Sequence, residues 1–375
     1  MKYYIIAGEA SGDLHASNLI KALQQQDANA DFRAWGGDMM EQAGAVVVKH
    51  YRDLAFMGFT QVLMNLRTIF RNLAFCKADI LEYKPDALIL VDYPGFNLRI
   101  AKWAKEQGLK IIYYISPQVW AWKENRVKSI KECVDKMLVI LPFEKEFYAK
   151  WNYEVEYVGH PLVEVIDAFK QNATADKNST TDLFSSDKII ALLPGSRKQE
   201  ILKKLPVMLQ VSKYFPEYTF VVAKAPGQDD VFYNDMLRNY ANVKSVSGKT
   251  YNLLIHAKAA LVTSGTATLE TALFGVPEVV CYKGSAVEYE IAKRIIKIKY
   301  ISLVNLIMNK LVVKELIQHE LTVENVKNEL SQLLTSADRK QQLLQDYAAL
   351  RNLLSQGGHA SFNAAKAISN FLQNG

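Results

Sequence analysis

At 375 residues the chain is long for one typical domain, and two is the natural division. Half of the residues are hydrophobic, which is enough for large cores, and 45 Lys and Arg against 39 Asp and Glu leave a net charge of only +6. That balance does not call for nucleic acid; it suits an acidic membrane surface, a phosphorylated substrate or an ordinary soluble surface.

The chain opens with an apolar strand, Lys2 to Ala7, a Gly-rich turn, Gly8-Glu-Ala-Ser-Gly-Asp13, and a helix over about Leu14–Leu23. Strand, Gly-rich turn and helix announce a doubly wound α/β domain, although Gly8 and Gly12 are not spaced as the dinucleotide fingerprint requires. Ser11 or Asp13 suffices as a helix cap. Glu9 sits just past the strand's C-terminal end, where open α/β sheets bind ligands. Phe32–Trp35 and Val46–Val48 are short strands. Residues 59–75 are amphipathic: at helical spacing Phe59, Val62, Leu63, Leu66, Phe70 and Leu73 form a packing stripe. Met57, Met64 and Phe75 fall nearly opposite, with Arg71 beside them and Arg67 between the faces. Such a second apolar patch with cations fits either a membrane-surface element or a second packing contact.

Further strands follow at Ala87–Val91, Lys110–Ile115, Lys136–Leu141 and Val155–Val158. The first ends in Asp92-Tyr-Pro-Gly-Phe-Asn97 and a helix through Glu106. The second ends in Ser116-Pro-Gln-Val-Trp-Ala-Trp122, and the last leads to Gly159-His160-Pro161. Residues 170–187 are polar and read as a linker or loop. The pattern then restarts with strands at Lys188–Leu193, Thr219–Ala223, Val243–Val246, Ala259–Val262 and Glu278–Tyr282. From Val287 onward the chain reads as mostly helical and closes with a helix over about His359–Leu372. The division expected is therefore 1–169, joined by a C-terminal segment of about 345–375 that packs back on it, and 188–344 as a second α/β domain. The three cysteines, Cys76, Cys133 and Cys281, form no Cys-x-x-Cys or Cys/His cluster and read as reduced, buried thiols of a cytoplasmic protein. The N-terminus shows no signal peptide, and no apolar run reaches the ~18–20 residues of a membrane span.

Two loops carry the chemistry of the second half. Pro194-Gly-Ser-Arg197 lies between a strand and a helix, and so does Leu261-Val-Thr-Ser-Gly-Thr-Ala-Thr-Leu-Glu270. Helix N-termini offer N–H groups and a positive dipole to a phosphate, and Arg197 adds a permanent cation. Gly195, Ser196, Ser264, Gly265, Thr266 and Ala267 line that reading, with ordinary helix capping as the plain alternative. Glu270, one turn into its helix, suits ribose hydroxyls. In the first half, Asp92 ends a strand of apolar residues. It is either a turn-forming Asp before Pro94 or, if partly buried, a base of raised pKa. His160 reads as a turn histidine, and Trp120, Trp122, Tyr113 and Tyr114 as core or groove lining, with stacking on a base or sugar as the sharper reading. Asn305, among apolar neighbours, requires a partner from backbone or ligand. No Asp-x-Asp and no metal-ligand spacing occur, so neither a metal nor another cofactor is assigned.

These stretches, in order over most of the chain, resemble the lipid-A-disaccharide synthase family. The resemblance rests on Ala7-Gly-Glu-Ala-Ser-Gly-Asp13, Met57-Gly58, Val91-Asp-Tyr-Pro-Gly-Phe-Asn97, Ser116-Pro-Gln-Val-Trp-Ala-Trp122, Leu141-Pro-Phe-Glu144, Gly159-His160, Leu192-Leu-Pro-Gly-Ser-Arg197, Ser264-Gly-Thr-Ala-Thr-Leu-Glu270, Ser302-Leu-Val-Asn-Leu306 and Val313-Lys-Glu-Leu-Ile317. It is loosest over 165–188 and 319–356. It implies a GT-B glycosyltransferase fold, two Rossmann-like domains facing a cleft, and an inverting, metal-independent enzyme. Donor and acceptor would be UDP-2,3-diacylglucosamine and 2,3-diacylglucosamine 1-phosphate (lipid X), and the products the β-1,6-linked disaccharide and UDP. The resemblance assigns the base to Asp92, the diphosphate to Arg197, the ribose to Glu270, and places in the cleft Glu9 and Asn305. The amphipathic reading of 57–75, with Met57, Met64, Arg67, Arg71 and Phe75 on its second face, adds the expectation of a cytoplasmic protein held peripherally at the inner membrane, with no nucleic acid partner and a homo-oligomer left open. One departure stands out: many relatives carry a second Asp where this chain has Gly95. Two other readings stay open on the residues alone. One is a different GT-B UDP-sugar transferase or UDP-sugar epimerase; the other is a non-enzymatic nucleotide-binding module of the membrane surface.

Overall fold

The computed structural model describes residues 1–54, 66–175, 186, 188–225, 228–285, 289–290, 293–294, 298–356 and 358–374. The chain divides into two compact units, Met1–Pro161 with Leu354–Gly375, and Leu162–Leu353.

The first unit runs β1 (Lys2–Ala7), α1 (Ala10–Gln26), β2 (Asp31–Gly36), α2 (Asp38–Gln42), β3 (Val46–His50), α3 (Leu66–Tyr83), β4 (Ala87–Val91), α4 (Pro94–Glu106), β5 (Lys110–Tyr114), α5 (Val119–Trp122), α6 (Arg126–Cys133), β6 (Lys136–Val139), α7 (Glu144–Ala149) and β7 (Glu156–Tyr157). Its seven strands pair in the order β3-β2-β1-β4-β5-β6-β7, and every pairing is parallel. A parallel sheet is covered on both faces, which is why its strands read as unbroken apolar runs. Alternate residues serve opposite layers: Tyr3, Ile5 and Ala7 pack with α1, and Tyr4 and Ile6 pack with α3 and α4.

The second unit runs α8 (Pro161–Ala175), β8 (Ile189–Leu193), α9 (Lys198–Ser212), β9 (Thr219–Lys224), α10 (Asp230–Leu237), β10 (Val243–Ser247), α11 (Thr250–His256), β11 (Ala257–Thr263), α12 (Thr266–Phe274), β12 (Glu278–Tyr282), α13 (Leu303–Met308), β13 (Lys314–Ile317), α14 (Val323–Thr335) and α15 (Ala337–Ser355). Its strands pair β10-β9-β8-β11-β12-β13, again all parallel. The last helix, α16 (Ala360–Asn374), belongs to the first unit, where Ala364, Ala365, Ala367 and Ile368 join the core beside α1. Both sheets therefore have the doubly wound order of a Rossmann-like domain, with the reversal at β1/β4 and at β8/β11.

Three sequence expectations change. The first boundary falls at Pro161/Leu162 rather than 169, and the return at Leu353/Leu354 rather than about 345. The cause is side-chain pairing: on α8, Phe169 meets the rings of Tyr251 and Phe274, and the Lys170 ammonium donates to the Leu273 carbonyl at 3.0 Å. On α15, Arg351 pairs with Asp167, and Asp346 with Lys310. Next, the stretch after Val287 contains a strand, β13, that the helical reading overlooked. Finally, Phe70 is 62% exposed instead of packed. The buried face of α3 is Leu73, Cys76 and Ile80 together with Asn72 and Asp79. Asp79 accepts from Arg33 and from the Tyr4 hydroxyl, so polar residues hold part of a face that an apolar count assigns elsewhere. Phe59, Val62 and Leu63 lie outside the described residues, as do Met57 and Met64.

Candidate active site

In the first unit the sheet's reversal brings together the ends of β1 and β4, carrying Glu9 and Asp92. Asp92 and Tyr93 both adopt left-handed backbone, φ +45° and +48°, a costly conformation for non-glycine residues that neighbouring structure must enforce. Here the Asp92 carbonyl accepts from the Asn97 amide at 2.8 Å and from the Tyr113 hydroxyl at 2.5 Å. The Tyr93 ring lies flat against Gly8, where any Cβ would sit 2.4 Å from ring carbons. Gly8 is thus required by an aromatic neighbour.

The Asp92 side chain borders a cavity of about 220 Å³ with Pro94, Ile115, Ser116, Pro117, Gln118, Val119, Lys123, Arg126, Ile140, Leu141 and Glu144. Burial raises its pKa to about 6, the Glu9 charge pushes the same way, and the Tyr93 N–H opposes them. Glu9 itself is exposed at the start of α1 and makes no capping bond. Asp13 does not cap its own helix; its carboxylate takes the N–H groups of Gly37, Met39 and Met40 and so caps α2. Gly95 is exposed, with open space where a side chain would stand.

In the second unit the corresponding reversal, at β8/β11, opens a cavity of about 460 Å³. It is bordered by Gly195, Ser196 and Arg197 after β8, by Ser264, Gly265, Thr266 and Ala267 after β11, and by Glu270. Both small-residue loops run into helices, α9 and α12, whose first N–H groups have no carbonyl one turn earlier to bond. Gly265, at φ +142°, makes a bend that a side chain would strain. The Ser264 hydroxyl donates to the Ile301 carbonyl at 2.8 Å, which ties the loop down. One Glu270 oxygen accepts from Tyr251 at 2.8 Å; burial raises its pKa and that hydrogen bond counters it. Arg197 is largely exposed and lies 3.5 Å from Glu200.

The sequence reading missed Glu200, Lys204 and Tyr251. Lys204 is 2% exposed, donates to the Thr263 hydroxyl and stands 3.8 Å from Glu200. Burial lowers its pKa, and Glu200 partly restores it. The available signal was spacing, since Glu200 and Lys204 are four residues apart on one face of α9 and Arg197, the residue before that helix, stands three before Glu200. Nothing local marked Tyr251 as a partner for Glu270.

Asn305 does not border the 460 Å³ cavity. It is fully buried, and its amide is complete internally: the nitrogen donates to the Val313 carbonyl and to Glu315, and the oxygen accepts from the Val312 and Val313 N–H groups. It is a bracket for the turn before β13. His160 is buried, and its pKa falls to about 3 through burial and the nearby His15. Tyr113 and Tyr114 are core, and the Trp120 ring meets Phe143 edge-on at 4.9 Å. On α3, Arg67, Arg71 and Phe75 are exposed. All three cysteines are free and buried. Among the described residues no helix is long and apolar enough to cross a membrane, and no group of three or more His, Cys, Asp or Glu is placed to hold a metal ion.

Comparison with known proteins gives the same picture at two levels. Among solved structures, the fold matches a UDP-GlcNAc 2-epimerase from Neisseria meningitidis bound to UDP-GlcNAc, with TM-score 0.70, 13% identity and all of both chains covered. It also matches the glycotransferase of kitacinnamycin, with TM-score 0.67, 14% identity and 99% of each chain covered. At such identities these show the fold, that of GT-B glycosyltransferases and UDP-GlcNAc 2-epimerases. Lipid-A-disaccharide synthase of Syntrophus aciditrophicus is 38% identical over 374 residues, covering 97% of this chain and 96% of its own. That of Coxiella burnetii is 36% identical over 377 residues, covering 98% of each. The family model for lipid-A-disaccharide synthetase matches residues 3–369, so the chain belongs to the lipid-A-disaccharide synthase family.

Proposed function

We propose that this glycosyltransferase joins UDP-2,3-diacylglucosamine to 2,3-diacylglucosamine 1-phosphate with inversion and without a metal, forming the β-1,6-linked disaccharide and UDP. Family membership supports the reaction; the observation that supports the mechanism is a carboxylate, Asp92, with pKa about 6 at a sheet reversal. A base works best when its pKa lies near the working pH, because it is then both ionised and able to hold a proton. Asp92 takes the proton of the acceptor's 6-hydroxyl as that oxygen attacks C1 of the donor sugar opposite UDP. Negative charge grows on the departing diphosphate. Arg197 and the N–H groups opening α9 and α12 stabilise it, and Glu270, oriented by Tyr251, holds the ribose. Glu9 serves the base by keeping its pKa up.

The protein works at the cytoplasmic face of the inner membrane as a peripheral enzyme. What supports this is the outer face of α3, where Phe70, Phe75 and Leu81 are 62%, 46% and 50% exposed beside Arg67 and Arg71. The direct test supplies purified protein with both lipids and scores UDP and disaccharide, with and without EDTA. Equal amounts of both products, insensitive to EDTA, are expected. Asp92→Asn should lose roughly 10²–10⁴-fold in turnover with UDP affinity retained. UDP release without disaccharide, or near-normal turnover by the Asn variant, would sink this reading.

A further inference from the structure

Glu200 borders the 460 Å³ cavity beside Arg197, where the donor's diphosphate is assigned. It stands in the first turn of α9, three residues after Arg197, the helix's N-cap. A carboxylate there complements the helix dipole and so competes with a phosphate for the same positive field. Its Oε1 pairs with Arg197 at 3.5 Å. Its Oε2 covers Gly195, where any Cβ would sit 2.8 Å from that oxygen. Taken alone, Glu200 would turn an anion site into a nearly neutral one. Lys204 changes that balance. It lies one turn further along α9, is 2% exposed, and holds its ammonium 3.8 Å from Glu200 Oε2. The same ammonium donates to the hydroxyl of Thr263, the last residue of β11, which also borders the cavity. One buried cation thus joins the loop after β8 to the loop after β11. Burial disfavours a lysine's charge and lowers the pKa here, while Glu200 acts to keep the proton on. Packing alone would be served by an apolar side chain of similar length.

We propose, resting on the donor reading above, that Lys204 is the counter-charge of the donor site: it neutralises Glu200, leaves Arg197 and the start of α9 to the diphosphate of UDP, and clasps the two loops that hold it. With Lys204 in place, two cations face one carboxylate, and the cluster keeps a net positive charge beside the phosphates. Without it, Arg197 and Glu200 cancel. A carboxylate facing a diphosphate in a partly enclosed site is repelled strongly, because little water screens the pair. Glu200 keeps its use as the group that aims Arg197 and packs over Gly195. Lys204 does not itself border the cavity. It is a positioning residue, acting through Glu200 and Thr263, and it makes the site selective for a phosphorylated nucleoside over the bare nucleoside.

The experiment measures equilibrium binding of UDP and of uridine to wild type, Lys204→Met, Glu200→Gln and the double variant. Wild type should prefer UDP. Lys204→Met should weaken UDP binding roughly 10-fold, as an uncompensated carboxylate beside the phosphates predicts, and keep uridine binding within about twofold. Glu200→Gln removes the repelling charge and should tighten UDP binding by roughly two- to fivefold. The double variant has the wild-type net charge and should recover most of the loss, which a role in packing alone does not allow. Disaccharide formation should follow, with kcat/KM for the donor falling in Lys204→Met and rising again in the double variant. Melting temperatures identify damage to the fold, and Glu200→Gln, at a partly exposed position, tests the balance even if Lys204→Met does not fold. An unchanged UDP-over-uridine preference in Lys204→Met, a double variant as weak as Lys204→Met, or looser UDP binding by Glu200→Gln would overturn the assignment. Should wild type show no preference for UDP, the donor reading falls and this assignment with it. Should wild type bind UDP and make no disaccharide, the reaction reading alone falls, and the binding measurements still decide the role of Lys204.

Discussion

Removing the Glu9 charge should move the acid limb of the pH–rate profile, and the size of the movement separates two causes of Asp92's basicity. Its pKa of about 6 comes from burial first and the Glu9 charge second. At pH 7 roughly nine-tenths of Asp92 is ionised, and at pH 5 roughly one-tenth, so kcat/KM should fall about tenfold between them in wild type. Glu9→Gln deletes a like charge and leaves burial in place. The limb should therefore move toward lower pH without reaching the ordinary carboxylate value, and the drop between pH 7 and pH 5 should shrink. The rate at pH 8, where Asp92 is ionised in both proteins, should change little. The assay is disaccharide formation under subsaturating acceptor from pH 4.5 to 8.5, with stability checked at each end. A wild-type profile flat down to pH 5 would refute Asp92 as the titrating base. An unmoved limb in Glu9→Gln would refute the electrostatic role of Glu9.

Three other outcomes can be checked. Arg197→Ala should lower kcat, because its partner charge grows only in the transition state, whereas Glu270→Ala should mainly raise donor KM; steady-state kinetics separates them. Glu278 is buried with neither carboxylate oxygen hydrogen-bonded, and burial raises its pKa well above the usual carboxylate value. Its contribution to stability is complete below about pH 4.5 and is lost as pH rises through its folded pKa, so Glu278→Met should raise the melting temperature at pH 8 and flatten its fall with pH. Phe70→Ser with Leu81→Ser should leave the fold intact and reduce flotation with anionic vesicles; unchanged flotation would make the outer face of α3 irrelevant to membranes.

Much of the architecture was legible because buried parallel strands are short apolar runs. Ala87–Val91 and Glu278–Tyr282 fall where the sequence reading put them. The loops after β4, β8 and β11 were legible for the same reason, since polar residues at such strand ends stand out. What failed to show is polar structure fixed by distant partners. β13 begins Lys314-Glu315 and looks like no strand; Glu315 earns its place by accepting from the Ile301 and Ser302 N–H groups and the Asn305 amide. Lys204 reads as a surface lysine in a helix until Thr263 is seen beneath it. Asp79, on α3, hides its face-setting role because Arg33 and Tyr4 lie far away in sequence.

The second unit is an insertion into the first, since the chain leaves after Pro161 and returns at Leu354. The two crossing points are tied: the His160 N–H and the Tyr157 hydroxyl both donate to the Leu354 carbonyl. On the ribosome this inverts the usual order, in which the N-terminal domain finishes first. The second unit has all its strands and helices once Leu353 has emerged. The first must wait, with the face of Leu19 and Ile20 lacking the cover of α16, until that helix too has emerged. It also means that loss of only the last turns of α16 would damage a sheet whose first strand was made about 350 residues earlier, a distance that follows from the numbering of β1 and α16.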